Sequence, residues 1–174
     1  MDYPRNYLLV HGHAYADFQF LAIDRAYRRA GIGDYNLVRV SSILPEGATR
    51  KTGHIDLRKG TILYCALAQI TSNAPDQILV SAVAVARVIG HPEKIGVIME
   101  YTEHHKRYGS RNNAPDAQAK RAVKIVEQSA RQAMIDRGYG LAAIEVESIY
   151  DIAYTGKLNN RFEFTTSVSA VALW

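Results

Sequence analysis

The chain contains little cysteine and no long apolar stretch. Its single cysteine, Cys65, has no partner for an internal disulfide and lies in an apolar run, so we expect a reduced, buried thiol. The longest apolar stretch, residues 78–89, is interrupted by Ser81 and Arg87 and falls short of the ~20 residues that cross a membrane. The first residues show no signal-peptide pattern. We therefore expect a cytoplasmic protein with no membrane partner.

The sequence also lacks internal repeats, low-complexity tracts and linkers rich in proline, glycine or serine. Its 174 residues, 48% hydrophobic and 22% charged, predict one globular domain over residues 1–174. The net charge of +4 permits an acidic partner without requiring one. The basic side chains of residues 120–131 have no interleaved aromatic residues, so they indicate a solvated helix face and no nucleic-acid partner.

Hydrophobic periodicity predicts more strands than helices. We expect strands within residues 8–10, 36–40, 61–71, 78–88, 95–101, 143–149 and 162–173, with a loop at Gly12. The first helix is expected to be capped by Asp17, to turn Phe20, Ile23, Tyr27 and Ala30 to the core, and to stop at Gly31. The second is expected to run from Pro115 to Gly138. Since each helix has one apolar stripe, we predict an α+β layered sandwich with the helices outside.

Short motifs of general kinds give little. Glu103, His104 and His105 are adjacent in sequence, and no third ligand joins the two histidines at a metal-site spacing. They therefore predict a solvated loop and no metal site. Residues 30–33 contain two glycines but follow a helix, which is typical of a helix stop and not of a dinucleotide fingerprint. These motifs alone leave an α+β domain of unassigned activity.

A longer segment is more informative. Residues 30–45, AGIGDYNLVRVSSILP, closely resemble the self-cleavage region of the pyruvoyl-dependent arginine decarboxylases. Asp24 lies seven residues before Gly31, as the family's substrate-binding aspartate does. Residues 96–101, GVIMEY, look like the strand that carries the family's catalytic glutamate, here Glu100. The resemblance covers essentially the whole chain and implies an αββα sandwich of mainly antiparallel sheets.

The resemblance implies a covalent cofactor made from the chain itself. Cleavage between Ser41 and Ser42 would give chains 1–41 and 42–174 and turn residue 42 into a pyruvoyl group. This ketone takes the place of pyridoxal phosphate as the electron sink. Asn36 is implied to stabilise the oxyanion formed during cleavage. Taken without the family, Asn36 is typical of a turn residue and the two serines of a polar strand end.

The resemblance also implies a substrate, L-arginine, and a product, agmatine. Glu100 is implied to be the general acid, and its apolar neighbours favour a raised pKa; the alternative is an edge-strand glutamate in water. Asp24 is implied to bind the guanidinium of arginine; the alternative is an ion pair with Arg28, four residues on. Tyr27 and Gly33 complete the implied substrate site.

Two features depart from the family pattern. Tyr27 stands where an aliphatic residue is common, which favours as one alternative the same chemistry on another amino acid. Residues 102–114 form a longer link than usual, with a lid, a subunit contact or an idle loop as possible roles. The resemblance implies a homotrimer or a pair of trimers. A second alternative is an unprocessed trimer that binds arginine or polyamines, but such a protein needs none of Ser42, Asn36 and Glu100.

Overall fold

The structure, a computed structural model, describes residues 3–106, 115–158 and 161–174. In chain order its elements are β1 (Asn6–Ala16), α1 (Gln19–Arg29), β2 (Asn36–Arg39), β3 (Ile43–Leu44), β4 (Thr49–Arg50), β5 (Ile62–Ser72), β6 (Gln77–Val88), β7 (Gly96–Lys106), α2 (Pro115–Ile135), β8 (Ile144–Tyr154), β9 (Lys157–Leu158), β10 (Arg161–Phe162) and β11 (Phe164–Leu173). A 3-10 turn, Leu141–Ala143, precedes β8.

Two sheets stack face to face. The first sheet has the strand order β2-β5-β11-β1-β4, and the second has the order β3-β7-β6-β8. Neighbouring strands are antiparallel except for β2 with β5 and β1 with β4. Helix α1 packs on β1 and β11 of the first sheet, whereas α2 packs on β6, β7 and β8 of the second. The layers therefore follow the order helix, sheet, sheet, helix, which confirms the predicted α+β sandwich.

The core has three apolar layers, one between each pair of neighbouring layers. The layer between the two sheets contains Tyr7, Leu9, Leu44, Ala66, Ala68, Val83, Val85, Ile98, Val171 and Leu173. Strands β6 and β11 are buried on both faces for most of their length. A strand in this position reads as a continuous apolar run and not as an alternating one, which is how both appear in the sequence. Cys65 is free and buried in the layer under α1, as predicted.

The first strand and helix differ from the prediction at their junction. Strand β1 continues through Gly12, so the predicted loop there is wrong. A Cβ at Gly12 would lie 2.8 Å from the nitrogen of Ala30 and 3.1 Å from the oxygen of Ala26, because α1 crosses the strand at this point. The glycine permits this close approach and does not end the strand. The N-cap of α1 is Phe18, with no side-chain cap, so Asp17 does not play the predicted role.

The buried face of α1 also differs from the prediction. Phe20 is 84% exposed, whereas Ala22 and Ala26 are fully buried. The close crossing over β1 explains this, since only small side chains fit between the helix and the strand. Tyr27 is half-buried against the core under α1, and Gly31 ends the helix with a φ of +78°, both as predicted.

The histidine pair lies on a strand and not in the predicted loop. Strand β7 extends to Lys106 because β6 pairs with it over that length, with Leu79 opposite His104. His105 Nε2 lies 3.0 Å from Oε2 of Glu103, which is itself buried. Residues 102–106 of the link discussed above thus belong to β7, and residues 107–114 lie outside the described residues.

The described residues contain neither a group of side chains placed for a metal ion nor a helix that could span a membrane. No group of three or more histidine, cysteine, aspartate or glutamate side chains in residues 3–106, 115–158 and 161–174 is placed to hold a metal ion. Neither of the two described helices is long and apolar enough to cross a membrane.

A buried carboxylate joins the two sheets between β1 and β8. Asp151 is 5% exposed, and its Oδ1 accepts hydrogen bonds from Nδ1 of His11 at 3.2 Å and of His13 at 3.1 Å. Ser167 Oγ donates to Oδ2 at 2.9 Å. Burial opposes ionisation of Asp151, but the hydrogen bonds from both histidines and the serine lower its pKa on balance. The hydrogen bond to Asp151 raises the pKa of His11, against the effect of partial burial.

This contact predicts a pH-dependent contribution to stability. A histidine whose pKa is raised on folding contributes its full stabilisation of the folded state below its unfolded pKa of about 6.5. That contribution is lost as pH rises through the pKa in the folded state. The lowered pKa of Asp151 keeps the carboxylate charged at mildly acidic pH. We expect His11→Gln to reduce the free energy of unfolding more at pH 5.5 than at pH 8, by no more than about 1 kcal/mol because His11 is half-exposed.

Urea unfolding at the two pH values measures this difference. The control is His54→Gln, which changes an exposed histidine in a loop and should have the same small effect at both values. Equal losses for His11→Gln at pH 5.5 and pH 8 would show that the charge of His11 contributes nothing.

Candidate active site

The predicted cleavage site lies where the chain passes from one sheet to the other. Strand β2 pairs with β5 in the first sheet as far as Arg39, and the nitrogen of Val40 also donates to the Cys65 carbonyl at 3.1 Å. Strand β3 then pairs with β7 in the second sheet, where the Ser42 carbonyl accepts a hydrogen bond from the Ile98 nitrogen at 2.8 Å. The bond between Ser41 and Ser42 therefore spans the gap between two sheet edges, each held by its own ladder.

The carbonyl of Ser41 has a hydrogen-bond donor in place. The backbone nitrogen of Ile43 donates to the Ser41 oxygen at 2.8 Å. A bond between residues two apart is a γ-turn, here with Ser42 at its centre. The hydroxyl of Ser42 and the carbonyl that it is predicted to attack thus belong to one tight turn. A donor on that oxygen stabilises the negative charge that an attack would place on it.

Asn36 lies at the other end of β2. Its side-chain Nδ2 donates to the Gly60 carbonyl at 2.6 Å, and its backbone nitrogen donates to Thr61 at 2.9 Å. It lies five positions before Ser41, up to about 16 Å of extended chain. The structure thus gives this amide a partner away from the cleavage site. Its predicted role at the oxyanion stays a prediction.

Glu100 lies beside the cleavage site. It follows Ile98 by two residues on β7, so the two side chains share a face of the strand, about 7 Å apart along it. Ile98 lies in the core between the sheets, and Glu100 accordingly reaches towards the first sheet, where it accepts a hydrogen bond from the Leu67 backbone. The residue is exposed in the single chain, but partial burial of its carboxyl raises the pKa of Glu100, although the positive charge of Arg39 and that hydrogen bond oppose the rise.

Arg39 is the centre of this arrangement, and the sequence reasoning missed it. It is the last residue of β2, and its charge lowers the pKa of Glu100 and also that of Tyr27, where burial nevertheless raises the pKa on balance. The phenol of Tyr27 donates to the side-chain oxygen of Gln69. Gln69 was missed as well. Arg39 and Gln69 each had a signal, since each is a polar side chain inside an otherwise apolar strand.

Asp24 has no ion-pair partner within 4 Å in the part of the chain that the structure describes, and it is exposed. The alternative pair with Arg28 is therefore not formed. A Cβ at Gly33 would lie 2.6 Å from Cγ and from the backbone nitrogen of Arg28, so the arginine stem occupies the space that the glycine leaves. Gly33 thus permits the close approach of the Arg28 stem, and Asp24 is exposed.

The structure brings some of the predicted residues together and leaves others apart. Ser41, Ser42 and Glu100 lie at the gap between the sheet edges, and the charge of Arg39 acts on both Glu100 and Tyr27. Asp24 is close to Tyr27 because it lies one turn away on the surface of α1. Asn36 lies at the opposite end of β2. A turn with a reactive hydroxyl, a carboxyl with a raised pKa and an open carboxylate are the parts that the predicted chemistry needs.

Comparison with known proteins identifies the family. The family profile described as pyruvoyl-dependent arginine decarboxylase matches residues 6–174. Pyruvoyl-dependent arginine decarboxylase of Methanocaldococcus jannaschii is 30% identical over 142 residues, which cover 82% of this chain and 78% of that protein. Pyruvoyl-dependent arginine decarboxylase 1 of Methanosarcina mazei is 38% identical over 109 residues, or 61% of each chain.

A third relative is matched over a shorter part. Pyruvoyl-dependent arginine decarboxylase 2 of Methanosarcina acetivorans is 35% identical over 105 residues, which cover 59% of this chain and 55% of that protein. The match thus spans little more than half of this relative's length. With the family profile covering nearly all of the chain, the sequence and the fold lead to one conclusion: the chain belongs to the pyruvoyl-dependent arginine decarboxylase family.

Proposed function

We propose that this chain cleaves itself between Ser41 and Ser42 and then decarboxylates L-arginine to agmatine and carbon dioxide. The observation that carries the proposal is the γ-turn at Ser42, in which the Ser41 carbonyl already accepts a hydrogen bond from Ile43. Cleavage divides a single domain of residues 1–174 into chains 1–41 and 42–174. Each new end is held, since β2 stays paired with β5 and β3 with β7.

The cleavage reaction uses groups that the turn places together. The Ser42 hydroxyl attacks the Ser41 carbonyl carbon, the peptide C–N bond breaks, and an ester links Ser41 to the Ser42 side chain. Loss of the Ser42 α-proton then expels the Ser41 carboxylate from Cβ and leaves dehydroalanine at residue 42. Water hydrolyses this residue, which releases its nitrogen as ammonia and leaves a ketone at the α-carbon. Residue 42 must therefore carry a β-oxygen that first attacks and then leaves. The Ile43 nitrogen holds the charged oxygen during the first step.

The residues around position 42 fit the pyruvoyl group that the family name implies. A ketone at this position supplies the electron sink that decarboxylation requires, with no need for pyridoxal phosphate. Glu100 lies on the neighbouring strand, and its raised pKa keeps the carboxyl protonated to higher pH than usual. It donates that proton to the α-carbon of the substrate after carbon dioxide leaves. Asn36 remains a proposed contributor to cleavage, through an amide that would exchange its bond to Gly60.

Substrate selection is proposed to rest on α1 and the turn after it. The open carboxylate of Asp24 pairs with the guanidinium of arginine through two parallel hydrogen bonds, a geometry that Lys-like amines do not match. Tyr27 packs along the substrate stem with its hydroxyl fixed by Gln69. Gly33, in the turn after α1, is proposed to complete this site, and its lack of a side chain admits the Arg28 stem.

Self-association and location are also part of the proposal. Phe18 is 71% and Phe20 84% exposed at the start of α1, beside Asp24, and apolar side chains in this position favour burial against a second copy. We therefore propose self-association through this surface; a homotrimer or a pair of trimers, with sites between subunits, is what the resemblance to the family implies. Sedimentation velocity of the purified protein measures the assembly. The proposed cytoplasmic location rests on composition alone.

An assay of the purified, cleaved protein tests the activity. Carbon dioxide released from carboxyl-labelled arginine is measured with agmatine formation, beside lysine, ornithine and citrulline as competing substrates. We expect equal amounts of agmatine and carbon dioxide from arginine. If one of the other amino acids is preferred, it replaces arginine as the proposed substrate. If no carbon dioxide is released from arginine or from any of the others, the decarboxylase proposal is contradicted.

The variant Asp24→Asn tests substrate recognition. Loss of the charge removes charge-assisted hydrogen bonds that contribute about 1.5–3 kcal/mol. We expect KM for arginine to rise about 10- to 100-fold while self-cleavage is unchanged. Asp17→Asn is the matched control, because it makes the same change at another exposed position near α1 and should leave KM unaltered. An unchanged KM for Asp24→Asn would remove this residue from the site.

A further inference from the structure

A cationic cavity lies against the last turns of α1. Its volume is about 670 Å³, and its lining includes Arg25, Arg28 and Arg29 from the helix, Asp34 from the turn that follows, and His54 and Lys59 from the loop before β5. Gly33, which the decarboxylase proposal uses, also lines this cavity, but that proposal gives the cationic side chains no role. The cavity also does not suit arginine or agmatine, because both are cations.

The charges in the cavity are not balanced. Its one carboxylate, Asp34, is already paired with Lys59, with Nζ and Oδ2 2.5 Å apart. The ion pair with Lys59 lowers the pKa of Asp34, and the same pair raises the pKa of Lys59, so the two cancel at neutral pH. The three guanidiniums of Arg25, Arg28 and Arg29 are left over, whereas the whole chain has a net charge of +4.

Like charges three and four residues apart on a helix repel each other. The helix dipole favours cations in the last turn, which accounts for Arg28 and Arg29 in part. It does not account for Arg25, which lies a turn earlier, or for the loop residues that complete the cavity. All three arginines are exposed, so their repulsion is a small cost to the fold, and a negative ligand would offset it.

The guanidiniums are also held in position. Arg25 donates one Nη1 hydrogen bond to the Tyr15 carbonyl at 2.9 Å, and Arg29 donates one to the His13 carbonyl at 2.8 Å, both on β1. The stem of Arg28 packs into the space above Gly33. Each guanidinium has five N–H donors, so one bond to the backbone leaves the others for a ligand. Fixing the side chains in advance lowers the entropy lost on binding.

We propose that this cavity binds an oligophosphate chain. Arginine forks match phosphate oxygens in pairs, and three guanidiniums call for a ligand with about as many negative charges. A single phosphate or carboxylate carries too little charge to balance them. The same chemistry occurs in inorganic tripolyphosphate and in the triphosphate of a nucleotide, and the volume accommodates either.

Isothermal titration calorimetry of the full-length protein tests the site without an activity assay. The probes are sodium tripolyphosphate and ATP, each without metal in 0.15 M KCl, where exposed charges are largely screened. We expect saturable binding of one tripolyphosphate per chain. Equal affinity for ATP assigns recognition to the phosphates alone, and tighter binding of ATP assigns the site to a nucleotide.

Arg28→Met is the informative variant, since Arg25 and Arg29 also join α1 to β1. It keeps much of the stem and removes the charge, and we expect the Kd for tripolyphosphate to rise at least tenfold. Lys124→Met makes the same charge change on an exposed position of α2 and should stay within twofold of the parent. If Arg28→Met lowers the melting temperature, Lys59→Met, on an exposed loop, replaces it with the same direction expected. Absence of saturable binding, or equal losses in the cavity and α2 variants, overturns the proposal.

Discussion

Ser42→Ala is expected to remain a single chain of 174 residues with no decarboxylase activity. Alanine has no β-oxygen, so neither the attack on the Ser41 carbonyl nor the later elimination takes place. Ser42 is only partly buried, and its backbone carbonyl bond to Ile98 does not need the side chain. The variant should therefore fold as the parent does. Mass spectrometry and the arginine assay measure the two losses, and circular dichroism checks the fold.

Ser41→Ala is the matched control for this prediction. In the γ-turn Ser41 contributes its carbonyl group, and that group survives the substitution along with the donor from Ile43. We expect this variant to be cleaved at the same bond. Cleavage of Ser42→Ala, or failure of both serine variants to be cleaved, would contradict the assignment of Ser42 as the attacking residue.

Glu100→Gln is expected to be cleaved normally but to lose decarboxylase activity by a factor of about 10²–10⁴, the usual contribution of a general acid. Glutamine keeps the shape of the side chain and its bond to the Leu67 backbone but has no proton to transfer. The split between intact cleavage and lost activity separates a catalytic role from a structural one. Rates of agmatine formation, with cleavage checked by mass, measure it.

The pH profile gives a second measure of Glu100. An acid that must be protonated loses activity as pH rises through its pKa, and burial places that pKa above the ordinary glutamate value. We expect this alkaline limb in the parent and its absence from the residual activity of Glu100→Gln. The control is Glu145→Gln, which changes an exposed glutamate of β8 that is paired with Arg87 of β6. This variant should keep the parent rate and profile. Full activity of Glu100→Gln would contradict the role.

Sequence patterns predicted the layers of the fold well and the crossing of α1 over β1 poorly. The central strands β5, β6 and β7 carry β-branched and apolar runs that identify them without further information. The close approach at Gly12 depends on where a helix forms later in the chain, and no local pattern shows it. The same crossing decides that alanines and not Phe20 are buried. The polar residues His104 and His105 predicted a loop, but pairing with β6 extends strand β7 through both of them.

The site was predicted in part for the same physical reason. A motif over residues 30–45 locates the serines because they are neighbours in sequence. Arg39 acts on Glu100 and Tyr27 across three different elements, and the donor from Ile43 is a backbone group that every residue type except proline offers. Such contacts follow from the stacking of the two sheets and are absent from any pattern of side chains. The cationic cavity was missed likewise, since it joins a helix to a distant loop.

The mass of the purified protein under denaturing conditions tests the central claim most directly. We predict two fragments that divide between Ser41 and Ser42, and a larger fragment whose mass shows a pyruvoyl group at its first residue in place of serine. One full-length species after prolonged incubation would contradict the account of self-cleavage, and with it the proposed decarboxylase.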